Sequence, residues 1–229
     1  MNTPMDRESV PPQSLSPESQ RRALLICNGQ FQHLKLSLPG VQKDAENLSR
    51  ALGDPHRSGF KVTCLLDKGL LEVRKAIAEA CAVSGNDDTL LTYYSGTSVY
   101  DGGELLLPVA DSDPTCLMAT SIEAEFVLSQ MRRSSCRRFV LIVDGCHSGG
   151  FFRNNRGVPD GMVAITSCSV DEMSADTPEG GAFTQSLLRA LADPKSDRDH
   201  DGSRRPPVAS RREEKRRDTA LTIRFPGTG

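Results

Sequence analysis

The sequence predicts an α/β domain built on a mostly parallel sheet with helices on both faces. Short apolar runs alternate along the chain with segments whose apolar residues recur at three- and four-residue spacing. The runs are apolar throughout rather than alternating, as strands covered on both faces are. Two of them stop abruptly on small polar residues and glycine, at Ser95-Gly96-Thr97-Ser98 and at Asp144-Gly145-Cys146-His147-Ser148-Gly149-Gly150. Ligands of parallel sheets sit beyond the carboxyl ends of the strands, so these two ends are where a site is expected.

The elements follow in order. Residues 21–28, RRALLICN, form a strand closed by Asn-Gly, and 44–52 form a helix with Ala45, Leu48 and Leu52 on one face. A second strand spans 60–67 and a helix 70–83. The third strand, 87–95, leads to a hairpin around 104–111. A helix over 121–133 opens with Ser and early acids, as a helix start should. The fourth main strand is 137–145, the fifth 161–169, and a helix over 180–193 closes the domain.

Composition sets the domain limits. The chain has 229 residues, of which 37% are hydrophobic, and the apolar shortfall lies at the ends. Residues 1–20 and 193–229 are rich in Pro, Ser and charge, too polar to offset the entropy of ordering, and are expected as tails. The domain is therefore 21–192. Net charge is −2, and the basic run RREEKRR is interleaved with Glu, which fits a solvated tail better than a nucleic-acid surface. No apolar run reaches membrane-spanning length, and the N-terminus lacks a signal-peptide layout. Seven cysteines without a CxxC pair are expected as free thiols in a reducing cytoplasm.

Among those cysteines Cys146 stands apart, flanked by Asp, His, Ser and glycines at a strand end. Glycines there let a substrate approach the backbone, and loop N–H groups, that of Gly145 included, can stabilise an oxyanion. These residues resemble the caspase and metacaspase class of cysteine endopeptidases, especially small bacterial caspase-like domains. The nucleophile motif D-x-C-x-S-G is matched by Asp144 to Gly149, and the base motif Y-S-G-H-G by Tyr94 to Ser98. LPGVQKDAENL is similar to the family's first loop, and SCSVDEMSAD with GGAFTQSLLRAL to its small-subunit strand and helix. The resemblance covers about residues 21–192. It implies a three-layer sandwich with a mostly parallel six-stranded sheet, Cys146 as nucleophile, and a pocket lined by Asp44, Ser95 and Asp144 for the residue before the scissile bond.

One departure bears on activity. Thr97-Ser98 stands where the family has His-Gly, and threonine can neither take the thiol proton nor return it to the leaving amine. His147 ranks first as a substitute base, ahead of His33 and His56 in early loops and His200 in the tail. Two carboxylates in one cleft call for a cation, which arginine or lysine of a substrate supplies. For Asp44 a helix cap is an equal alternative. The acidic stretch with Asp171, Glu172 and Asp176 is read by default as a solvated loop, and DRDHDG (197–202) lacks the twelfth-position Glu of a calcium loop. No metal site is assigned and no cofactor is expected, with calcium activation left open.

Two functions remain. One is an endopeptidase cutting after basic residues, able to nick itself after Arg153 or Arg156. The other is an inactive pseudo-protease that grips basic segments as a regulatory module. The resemblance implies a bacterial stress or defence setting. A protein or peptide with basic residues is the expected partner, with a homodimer or regulatory protein left open and neither nucleic acid nor membrane expected.

Overall fold

The computed structural model describes residues 19–152, 158–167, 180–192 and 222–224. Five parallel strands and one antiparallel strand make the main sheet, in the order β2-β1-β3-β7-β8-β9. They are β1 (Arg21–Cys27), β2 (Lys61–Leu66), β3 (Thr89–Ser95), β7 (Arg138–Asp144), β8 (Met162–Thr166) and β9 (Thr222–Arg224). A second, antiparallel sheet joins β4 (Val99–Asp101), β5 (Glu104–Pro108) and β6 (Ser121–Glu123). The helices are α1 (Gly40–Gly53), α2 (Leu70–Val83), the short α3 (Leu117–Thr120), α4 (Ala124–Arg133) and α5 (Ala182–Ala192).

Strand side chains alternate between two cores, one on each face. Leu24, Ile26, Leu90, Tyr94, Leu141 and Val143 pack with α2, α4 and the small sheet. Ala23, Leu25, Cys27, Leu91, Tyr93 and Ile142 pack with Val41, Ala45, Leu48 and Leu52 of α1 and Phe183 of α5. This is the covered, mostly parallel sheet that continuous apolar strands demand.

Three expectations are corrected. The first helix begins at Gly40, so Asp44 lies inside it and does not cap it. Ser121–Glu123, expected as a helix start, is extended because it pairs with Leu106–Pro108, and α4 starts only at Ala124. Thr222–Arg224, within the segment expected as a tail, pairs antiparallel with β8 as β9. Cys168, the 171–176 acids, Arg153, Arg156, His200 and DRDHDG lie outside the described residues. No helix among the described residues is long and apolar enough to cross a membrane.

The core makes a direct stability prediction. Leu48 of α1 is wholly buried against the sheet, whereas Leu71 of α2 is 83% exposed. Leu48→Ala should cost about 2–5 kcal/mol in guanidinium unfolding, and Leu71→Ala no more than about 0.5 kcal/mol.

Candidate active site

The strands that carry both motifs are sheet neighbours. β3 and β7 run parallel in a register that sets Ser95 opposite Asp144, and Gly96 N–H donates to Asp144 O at 3.1 Å. Parity then assigns faces. Ser95 follows Tyr93 by two residues and Asp144 follows Ile142 by two, so both point to the α1 and α5 side. Asp44 arrives on that side from α1.

There the two carboxylates meet the start of α5. Gly181 N–H donates to Asp44 Oδ2 at 2.7 Å, and a Cβ at Gly181 would lie 3.3 Å from Asp44 Oδ2 and 3.4 Å from Asp144 Oδ2. Gly180, at φ 118°, has a backbone that other residues rarely adopt, and its missing side chain leaves room for Asp44 Oδ1. Asp44 and Asp144 are both buried, at 2% and 6% exposure, around one pair of glycines. Asp44 therefore binds a helix N-terminus, but that of α5 rather than of its own helix.

Asp144 is held from within the fold. Thr184 Oγ1 donates to Asp144 Oδ2 at 3.0 Å, and Tyr93 Oη lies 2.7 Å from Thr184 Oγ1. Burial pushes the Tyr93 phenol well above its ordinary pKa, and the negative charge of Asp144 adds to the shift, so the phenol keeps its proton. Sequence reasoning passed over Tyr93 and Thr184. The available signals were the parity of Tyr93 with Ser95 and the position of Thr184 in the GGAFT stretch.

The Cys146 turn is tight. His147 has φ 57°, a left-handed conformation uncommon outside glycine, and Ser148 N–H closes back on Gly145 O at 3.3 Å. Cys146 is half-buried at the apex. A Cβ at Gly145 would strike Gly96 O at 2.8 Å, so only glycine lets the two turns touch. The Gly145 N–H, expected as an oxyanion donor, instead donates to Ser167 Oγ at 3.1 Å in a buried bond. The neighbouring Cys146 N–H makes no hydrogen bond among the described residues.

Thr97 and Ser98 lie against this turn. The Ser98 hydroxyl donates to Cys146 O, tying the Thr97–Ser98 loop to the Cys146 loop. The buried Tyr94 phenol braces the same loop from below, 2.6 Å from Thr97 O and 2.7 Å from Pro108 O. The Thr97 side chain itself makes no hydrogen bond among the described residues. Of the other imidazoles, half-buried His147 is next to the thiol in sequence. His33 is exposed with Asp113 nearby. His56 is exposed in the turn between α1 and β2, at the amino end of that edge strand, whereas the site lies at the carboxyl ends of β3 and β7.

With that geometry in place the comparisons are informative. The caspase domain family matches residues 20–202. The chain belongs to this family. Caspase-1 from Spodoptera frugiperda is similar in structure at a TM-score of 0.62 and 21% identity, over 83% of this chain and 75% of that one. A protein of Geobacter sulfurreducens is similar at 0.56 and 21% identity, over 75% of this chain and 81% of its own. No curated protein matches the sequence. The caspase-like α/β fold, with its cysteine-peptidase architecture, is thereby established.

The caspase domain carries other thiols, and they differ in reactivity. Cys64 is lowered to about 6 by hydrogen bonds from Cys27 and Ser49, against a smaller opposing effect of burial. Its buried partner Cys27 is raised well above its usual value, first by that same contact and then by burial. Burial pushes Cys81 up to about 12. Brief iodoacetamide treatment at pH 7.5 (about neutral, above the Cys64 value) should therefore label Cys64, and labelling should fall as pH drops through about 6. Cys27 and Cys81 should stay unlabelled in peptide mass spectra.

Proposed function

We propose that the chain is a cysteine endopeptidase that cuts after arginine or lysine. The observation that carries this reading is the convergence of Asp44 and Asp144 on Gly181, with Asp144 two residues before Cys146. Two buried carboxylates in one cleft repel unless a cation joins them, and arginine can bond a carboxylate at two points. Ser95, opposite Asp144 in register, lines the same pocket.

In this reading a basic side chain enters the pocket and sets the following carbonyl over Cys146. The thiolate sulfur attacks the carbonyl carbon, and the oxyanion is met by Cys146 N–H. Collapse of the intermediate breaks the C–N bond, and the amine departs with the proton that His147 took from the Cys146 thiol. Water then attacks the thioester, releasing the acid and restoring the thiol. No cofactor takes part. The weak step is proton transfer, because Thr97 does not titrate near neutrality and a positioned base is worth about 10²–10⁴-fold. His147 is the substitute base of this proposal. A reducing compartment such as the cytoplasm suits a free thiol nucleophile.

A second reading rests on the same loop. With Thr97 unbonded at the base position and Ser98 tied to Cys146 O, the domain would grip basic segments without cutting them.

Two experiments separate these readings. Fluorogenic peptides with Arg or Lys before the scissile bond should be cleaved and Asp peptides left intact, with Asp144→Ala losing the preference. Equal handling of Arg and Asp peptides would refute the basic pocket. The double change Thr97→His, Ser98→Gly removes the tie to Cys146 O and supplies an imidazole, so turnover should rise by about 10²–10⁴-fold. No gain with the fold intact would favour the pseudo-protease.

A further inference from the structure

The hydroxyls behind the pocket form a chain with one direction. The carboxylate of Asp144 accepts, so Thr184, which has a single hydroxyl proton, spends it there at 3.0 Å. The contact of 2.7 Å between Thr184 Oγ1 and Tyr93 Oη then requires Tyr93 to be the donor. The phenol can fill that role because burial and the Asp144 charge hold it protonated. Ser95, two residues further along the same face of β3, acts on the same phenol in the sense opposite to burial. The Tyr93 and Thr184 hydroxyls thus point their protons toward Asp144, an arrangement in which successive bonds polarise one another.

The members come from three elements: Tyr93 from β3, Asp144 from β7 and Thr184 from α5. Tyr93 and Thr184 have no exposed surface, so water does not substitute for either. Packing alone would have been met by Phe at 93 and Val at 184, without burying two hydroxyls. The chain of hydroxyls ends where the proposed pocket begins.

We propose that Tyr93 and Thr184 are positioning residues for recognition of the basic side chain, orienting the Asp144 carboxylate before the cation arrives. This rests on the reading of the cleft as a pocket for arginine or lysine. A guanidinium bonding a carboxylate at two points depends on the plane of that carboxylate, whereas the compact ammonium of lysine does not. The relay therefore matters more for arginine than for lysine.

The test is binding in the full-length Cys146→Ala protein, read by fluorescence anisotropy with labelled peptides that differ only in carrying Arg, Lys or citrulline. Thr184→Val should weaken Arg binding roughly ten- to a hundredfold, the worth of a hydrogen bond to a charged group, and Lys binding by clearly less. Thr184→Ser, which keeps the hydroxyl, should restore Arg binding. Tyr93→Phe should fall between the two. Equal losses for Arg and Lys, or no loss with Thr184→Val while Asp144→Asn abolishes binding, would overturn the relay but leave the pocket standing. Failure of the parent protein to prefer Arg and Lys over citrulline would remove the pocket and the relay together. Should Thr184→Val not fold, the Tyr93→Phe and Thr184→Ser pair decides by the same Arg-to-Lys comparison.

Discussion

The arrangement depends on the parallel pairing of β3 with β7. Once Ser95 stands opposite Asp144, two chain segments about 50 residues apart in sequence must leave the sheet side by side. Their turns then touch so closely that only glycine fits at 145. A slip of one residue would turn Asp144 toward α2 and α4 and leave a carboxylate among Leu, Val and Met. The apolar alternation of both strands forbids that slip. The site's geometry is thus fixed by the same burial that stabilises the sheet.

Electrostatics follow from this placement. Asp44 and Asp144 are both nearly excluded from water, which would be costly for two unsupported carboxylates. Each has its own support: Asp44 takes an N–H at the positive end of α5, and Asp144 takes the Thr184 hydroxyl. The supports come from neighbouring residues of one segment, Gly181 and Thr184. The start of α5 therefore fixes both carboxylates at once, and it is itself seated through Phe183 in the α1-side core.

Most of this architecture was legible because it obeys local rules. Continuous apolar strands gave a covered parallel sheet, and the strand ends at Ser95 and Asp144 pointed to the site. Boundaries failed where long-range pairing overrode local pattern, as at Ser121–Glu123, whose Ser and acids read as a helix start but whose partner is β5. Thr222–Arg224 failed likewise, since three residues in a charged segment become a strand only because β8 offers an edge. The bond from Gly145 N–H to Ser167, on another strand's end, was hidden for a different reason: it joins residues 22 apart that no local pattern relates. The tie between Ser98 and Cys146 O and the Tyr93–Thr184–Asp144 chain link side chains distant in sequence, and no spacing rule exposes them.

This distinction also explains why the pocket and the base position stand so differently. Asp44 and Asp144 serve the fold as well as any substrate: removing either would leave an α5 N–H or a buried Thr184 hydroxyl without its acceptor. Gly145 is likewise required by the contact of the two turns. Thr97 has no such duty. Its carbonyl is braced by Tyr94, but that bond is made by the backbone and is indifferent to the side chain. A change of side chain at position 97 thus breaks no hydrogen bond seen among the described residues, while Asp44, Asp144 and Gly145 cannot change freely. The paired carboxylates therefore bear on which side chain the proposed pocket would take, and position 97 on whether the bond beside it would be cut. On the proposed reading it is the group at position 97, whose side chain makes no hydrogen bond among the described residues, that would separate cutting from gripping.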